Sequence, residues 1–285
     1  MKNRVYAYLS AEHALQDIVN GHLKMSEAHR TNDPFEYYFE LLFQQPEHFS
    51  GEWCEAAEKW FDENIVANSN GMPFVSFSDS FKSLPLWAYY GERHKGICLG
   101  FDFEFEIDGG PLLRKVSYPQ KRIRFEVPDQ GEKTETSNEQ KFLDNLFWTK
   151  DKQWLSENEW RLCVPSDNHL VETTELGYKF LRFPKNALTE ICFGLSCPDE
   201  IIGKVLLACH ALEMTPHCFR MEKVFKSRKL RGSSIKGRSR EKTAVWAELG
   251  RPDKEMTTTE KNRYISRALL SLLIEKNDKR TGATQ

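Results

Sequence analysis

No run of 18 apolar residues occurs anywhere in this 285-residue chain, so no membrane-spanning helix is expected. The opening residues, Met1-Lys2-Asn3-Arg4-Val5-Tyr6, lead directly into tyrosine and polar groups. They lack the apolar stretch and cleavage site of a secretory signal, and the expected compartment is the cytoplasm. There is no GxxxxGK[ST] loop, no GxGxxG after a strand, no HExxH and no GxSxG, which argues against P-loop, kinase and zinc-hydrolase readings. Metal-ligand spacing is also missing: the histidines are scattered, no Cys-x2-Cys pair exists, and Cys192-x4-Cys197 is a poor knuckle even with Cys209-His210 and His217-Cys218 nearby. Seven cysteines are an odd number without a framework spacing, so they read as small buried hydrophobes in a reducing compartment, and no metal is expected.

What the chain does have is aromatic weight. Nineteen Phe, nine Tyr and seven Trp exclude a mainly disordered polymer and allow a large buried core. The net charge of −2 conceals an asymmetry. Residues 223–242, KVFKSRKLRGSSIKGRSREK, hold nine basic residues against one acidic, so the rest of the chain is acidic. The Gly and Ser residues among the Lys and Arg of 226–242 give a flexible tether, so 226–258 is read as a basic linker and Lys226–Lys242 as the expected contact for a nucleic-acid partner through phosphate charge. With Phe225 as its one flanking aromatic, this stretch has little capacity to stack bases.

Periodicity predicts a strand over Val5 to Leu9, then a helix capped by Ser10 and stopped at Asn20-Gly21. Asn32-Asp33-Pro34 reads as an Asx turn that caps a helical stretch from Phe35 to Phe43, with helical spacing again from Gly51 to Ile65. Residues 73–78 form a strand in which Ser76 and Ser78 share one face and Val75 and Phe77 the other. A short helix carries Trp87, Tyr89 and Tyr90, and a strand runs from Gly96 to Phe101. Residues 116–118 and 122–127 suggest a hairpin, and 129–137 a polar loop. Helical spacing covers 140–150, a strand carries Glu157 and Glu159 at its start, and further strands lie at 191–194 and 219–221 around a helix over 198–214. Thr259 to Lys276 shows an amphipathic stripe. The class is α+β, with split mixed and antiparallel sheets, in one domain over 1–225, a linker over 226–258 and a C-terminal helix and tail over 259–285.

Three pieces stand in order: a strand with Tyr6 and Tyr8, the Ser76-Phe77-Ser78 strand, and Glu157-Asn158-Glu159. Singly, each has a plain structural reading as core tyrosines, a solvated strand face, or glutamates paired with Lys150 or Arg161. In that order the chain resembles the ADP-ribosyltransferase superfamily, whose pattern is an aromatic, His or Arg strand, a Ser-x-Ser strand and then a Glu. Tyr6 and Tyr8 stand where Arg or His is usual. More closely, the chain resembles an uncharacterised bacterial family of unknown function, on Asn32-Asp33-Pro34-Phe35-Glu36, Ser76-Phe77-Ser78, Trp87-x2-Tyr90, His94-Lys95-Gly96-Ile97-Cys98 and Trp154-x2-Glu157-x-Glu159-x-Arg161.

The first resemblance implies split sheets gripping NAD as substrate and ADP-ribosyl transfer to a protein or nucleic-acid acceptor, in the setting of a bacterial toxin or phage-defence effector. It implies Glu159 as the carboxylate that stabilises charge on the ribose, with Glu157, on the same strand face, orienting or deprotonating the acceptor. Ser76 and Ser78 would support the glutamate or ribose, Tyr8, Trp87 or Tyr90 would stack nicotinamide, and His94 with Lys95 would meet the pyrophosphate. Arg161 reads as a structural partner of a glutamate. Two other readings use the same residues: an NAD glycohydrolase, and a non-catalytic sensor that binds a nucleotide or nucleic acid.

Overall fold

The computed structural model describes residues 4–27, 30–37, 39–43, 51, 52, 55, 59, 72–103, 112–121, 123–127, 141, 142, 145–224, 227 and 229–235. Strands and helices are interspersed in an α+β arrangement. The chain divides into two compact units, the first made of 1–23, 78–104 and 182–285, the second of 24–77 and 105–181.

In the first unit, β1 (Val5–Leu9) leads into α1 (Ala11–Asn20). The Ser10 side chain accepts a hydrogen bond from the His13 N–H, and Gly21 ends the helix at φ 69°, a left-handed conformation that costs glycine nothing. Ala14, Leu15 and Ile18 form the buried stripe of α1. β5 (Ile97–Phe101) is buried along its whole length and pairs antiparallel with β1 on one side and β11 (Leu188–Phe193) on the other. A helix, α3 (Asp199–Ala211), then carries the chain to β12 (His217–Val224), which lies parallel to β11, the connection a parallel pair requires. β13 (Lys229–Ser234) pairs antiparallel with β12, completing the strand order β13-β12-β11-β5-β1. Short helix α2 (Leu84–Tyr89) is capped by Ser83. Tyr6, Trp87, Cys98, Cys192, Phe219, Met221 and Leu230 pack into one core cluster.

The second unit holds three strands in the order β4-β8-β6: β4 (Phe74–Ser78, its last residue assigned to the first unit), β8 (Glu159–Cys163) and β6 (Leu112–Lys115). β6 and β8 run antiparallel with Arg114 opposite Arg161. β2 (His22–Lys24) is a short strand at the junction of the two segments. β3 (Glu40–Phe43) pairs parallel with β7 (Arg124–Val127), and β9 (Val171–Thr173) pairs antiparallel with β10 (Lys179–Arg182). The core here is aromatic: Tyr37, Phe74, Phe125, Phe142, Leu146, Trp148 and Cys163 pack together.

Three local expectations are revised. The helical spacing of Phe35 to Phe43 gives a turn over 34–37 and then β3. Asp33 accepts from the Phe35 N–H at 2.9 Å as an Asx turn, but Tyr37 takes φ 60° and ends the turn, and a distant partner draws the next residues into extended pairing. The hairpin over 116–127 does not form: β6 ends at Lys115 and pairs with β8, while β7 pairs with β3. Both are non-local pairings, invisible to a window of sequence. Residues 229–234, within the stretch read as a tether, form β13. Most of the 51–65 helix, the 129–137 loop, the linker and the Lys226–Lys242 stretch beyond Ile235, and the helix over 259–276 lie outside the described residues. Among the described residues, no helix is long and apolar enough to cross a membrane, and no group of three His, Cys, Asp or Glu side chains is placed to hold a metal.

Candidate functional site

The second unit buries a network of charges around β8. A 3-10 helix from Lys152 to Glu157 begins at Asp151, whose side chain accepts from the Gln153 N–H at 2.9 Å. It ends at Asn158, which takes φ 46° and ψ 50°, a left-handed conformation asparagine tolerates better than most residues. The chain then enters β8 at Glu159. Glu157 and Glu159 therefore do not sit on one strand face as strand alternation predicts: a helix end and a left-handed corner separate them. They converge nonetheless on Lys150, whose Nζ lies 2.7 Å from Glu157 Oε2 and 3.2 Å from Glu159 Oε2.

Within β8 the period-2 alternation puts Glu159 and Arg161 on the same face. Arg161 is fully buried. Its Nε donates to Glu159 Oε1 at 2.9 Å, one NH2 group to Glu159 Oε2 at 3.3 Å, and the other to the Phe147 carbonyl at 2.9 Å. The guanidinium also lies 2.8 Å from Glu36 Oε1 as an ion pair without hydrogen-bond alignment. Phe74 offers its ring face to this cation, with 4.5 Å from the guanidinium carbon to the centroid. From β4, the exposed Ser76 donates its hydroxyl to Glu159 Oε1 at 2.7 Å. The Glu159 N–H in turn donates to the Tyr118 hydroxyl at 2.9 Å. Glu159 thus accepts four side-chain hydrogen bonds with its side chain 3% exposed.

Burial alone would push the Glu159 carboxyl up, but Arg161, Lys150 and the Ser76 hydroxyl outweigh it and hold the pKa down to about 2. Proximity of two glutamates leads one to expect a raised value, yet the cations between them decide the sign. Lys150 is raised above its ordinary value: desolvation opposes its charge, and Glu159 and Glu157 more than compensate. Glu36 goes the other way, raised chiefly by burial despite Arg161. The result is a carboxylate locked in its ionised form, one hydroxyl away from solvent, with an ammonium and a second carboxylate beside it.

The other anticipated residues belong to the first unit and have structural work there. Tyr8 donates its hydroxyl to the Ser80 carbonyl at 2.7 Å and accepts from the Ser83 N–H at 3.2 Å, while its ring meets Trp87 edge-on. Trp87 is fully buried and donates its indole N–H to the Phe81 carbonyl, which makes it a core residue rather than an open stacking surface. Ser78 is buried at the end of β4 opposite Tyr6. Tyr6 donates to Glu190 Oε2 at 2.9 Å, and Arg4 pairs with both Asp102 and Glu190. Tyr90 closes α2 and is half-buried. His94 lines a cleft described below. Reading the sequence alone leaves Glu36 and Tyr37 out of the charge network. The available signal was the position of Glu36 in the Asn32–Glu36 motif, with Arg161 expected to find an acid.

Read by fold and site, this is an α+β protein with a buried, cation-held glutamate. A family model described as "Protein of unknown function (DUF2971)" matches residues 86–162. That segment includes Trp87, Tyr90, His94, Glu157, Glu159 and Arg161, whereas Asn32–Glu36 and Ser76–Ser78 lie outside it. The match carries no activity and none of the ADP-ribosyltransferase resemblance. No curated protein and no solved structure matches the chain.

Proposed function

We propose NAD-dependent ADP-ribosyl transfer to a protein or nucleic-acid acceptor, on an ADP-ribosyltransferase-like architecture, as a bacterial effector. The observation that carries this reading is the 2.7 Å hydrogen bond from exposed Ser76 to the ionised, buried Glu159. A ribose hydroxyl is the same kind of donor as the serine hydroxyl, so it can take the serine's place at Oε1 without leaving the carboxylate unsatisfied. The combination of a hydroxyl, an accepting carboxylate and a donating ammonium suits the ribose of NAD. As the bond from ribose to nicotinamide breaks and its electron pair leaves with the nicotinamide, positive charge grows on the sugar. A carboxylate already ionised and oriented stabilises that charge without reorganising. In this reading Glu157, held by Lys150 and slightly more exposed than Glu159, accepts the proton of the acceptor as its nucleophile bonds to the ribose carbon. Water as acceptor makes the same residues an NAD glycohydrolase.

One observation favours a non-catalytic reading: the four side-chain hydrogen bonds that saturate Glu159 are what a purely architectural buried ion also shows. Nicotinamide release from NAD by the full chain, compared with Glu159→Gln, separates the two. Release lost in a folded Glu159→Gln protein supports the transfer reading. No release from the wild type, together with no rise in its melting temperature on adding NAD, rejects it.

A further inference from the structure

A cleft of about 380 Å³ opens in the first unit, between the turn after α2, the segment after β11 and the end of the β12–β13 ladder. Arg93, Lys223 and Lys229 line it, and among the described residues no carboxylate pairs with any of the three. The contrast with their neighbours is direct: on the same two strands Arg220 pairs with Asp199, and Arg231 with Glu222. In the β12–β13 register Lys223 stands opposite Leu230, and Val224 opposite Lys229. The cleft wall therefore mixes cationic and apolar side chains, to which Leu84 and Leu195 add further apolar surface.

The fold goes to some length to present the remaining wall. Glu92, Arg93 and His94 follow one another at φ 50°, 54° and 68°, three consecutive non-glycine residues in the left-handed region. Hydrogen bonds hold the turn in place, from the His94 N–H to the Trp87 carbonyl at 3.1 Å and from the Ser196 N–H to the His94 carbonyl at 2.9 Å. Gly194 is required for this approach, since a Cβ there would lie 2.2 Å from the His94 carbonyl oxygen. Nδ1 of His94 is buried and has no partner. Burial and Lys223 hold the His94 pKa below its ordinary value.

We propose that this cleft binds a phosphate-bearing small molecule of nucleotide size, its diphosphate held by Arg93, Lys223 and Lys229 and its organic part laid against Leu84, Leu195 and Leu230. Unpaired cations lining a partly apolar cleft of this volume suit such a ligand. The inference goes beyond the Glu159 chemistry, because every lining residue belongs to the first unit.

Calorimetric titration of the full chain with ADP, pyrophosphate and adenosine tests it. ADP binds more tightly than either fragment, and its affinity falls about tenfold or more in Lys223→Glu/Lys229→Glu and weakens as salt is raised. Arg231→Glu, on the same strand but paired outside the cleft, leaves ADP affinity within about twofold. Should the double glutamate variant fail to fold, Lys223→Gln/Lys229→Gln carries the test, with a loss of about threefold or more. Nicotinamide release is read in a separate assay and is lost in Glu159→Gln, so the two proposals fail separately. Absence of ADP binding, or binding indifferent to both double variants, overturns the proposal. A single-stranded oligonucleotide that binds more tightly than ADP and loses affinity in the same variants also overturns it, in favour of a nucleic-acid contact.

Discussion

The second unit and the cleft of the first handle positive charge in opposite ways. Around β8, Arg161 is buried and Lys150 half-buried, and each of these charges meets a carboxylate. Around the cleft, Arg93, Lys223 and Lys229 meet none among the described residues. Desolvation explains the difference. A buried guanidinium without a partner would cost several kcal/mol, so Arg161 is retained only as part of a closed network. A cation at a cleft wall keeps its water and can await an external anion. Paired charge thus marks what the chain needs in order to fold, and unpaired charge marks what it can offer to a ligand. Ser76, exposed yet bonded to the network, is where the paired region also meets solvent.

The severest break of this comparison is Arg161→Met. It leaves Glu159 and Glu36 buried without their shared cation and is expected to cost about 3–5 kcal/mol in urea unfolding. A cost under about 1 kcal/mol would mean that the network is not a folding requirement.

Acid titration is expected to reveal the next effect. Glu159 ionises at about 2 in the folded chain against an ordinary 4.5. A carboxyl whose folded pKa is lowered stabilises the fold above its unfolded pKa, and that stability disappears as pH falls from 4.5 through about 2. At about 1.4 kcal/mol per pKa unit the contribution is about 3 kcal/mol. Glu36, raised by burial, acts in the opposite sense and softens the acid loss. The stability gap between wild type and Glu159→Gln should therefore narrow by about 2.5 kcal/mol between pH 6 and pH 2.5, where Glu159 is still partly ionised. Parallel pH profiles would contradict the ionised carboxylate.

In the first unit, Tyr8→Phe removes the bond to Ser80 and the acceptor for the Ser83 N–H. It should cost about 1 kcal/mol in melting experiments while leaving any nicotinamide release in place. The smallest effect belongs to Arg231→Ala, whose pair with Glu222 is largely exposed. A change of a few tenths of a kcal/mol is expected, and one that fades in high salt.

Local signals served well where the partners were close in sequence. Ser10 and Gly21 bracket α1 as their chemistry demands, Ser83 caps α2, and β1, β4 and β5 fall where alternation and apolar runs place them. They failed where pairing was remote. Glu40–Phe43 carries a helical period yet extends to join Arg124–Val127, more than eighty residues away, and Lys229–Ser234 has the composition of a tether yet pairs with β12. The site was legible in type more than in geometry. Ser76, Glu157, Glu159 and Arg161 were identifiable as residues, but not the corner at Asn158 or the recruitment of Glu36.

Residue chemistry along the chain thus settled the α+β class, the helix ends and the identity of the glutamates, because caps, turns and periodicity act over a few residues. Which charges are paired, which glutamate is held ionised, and which cations face an open cleft were decided only in the folded chain. Coulomb interactions and desolvation depend on distance through space: Arg161 meets Glu36, and Arg93 lines the same cleft as Lys223, across separations that no local pattern encodes.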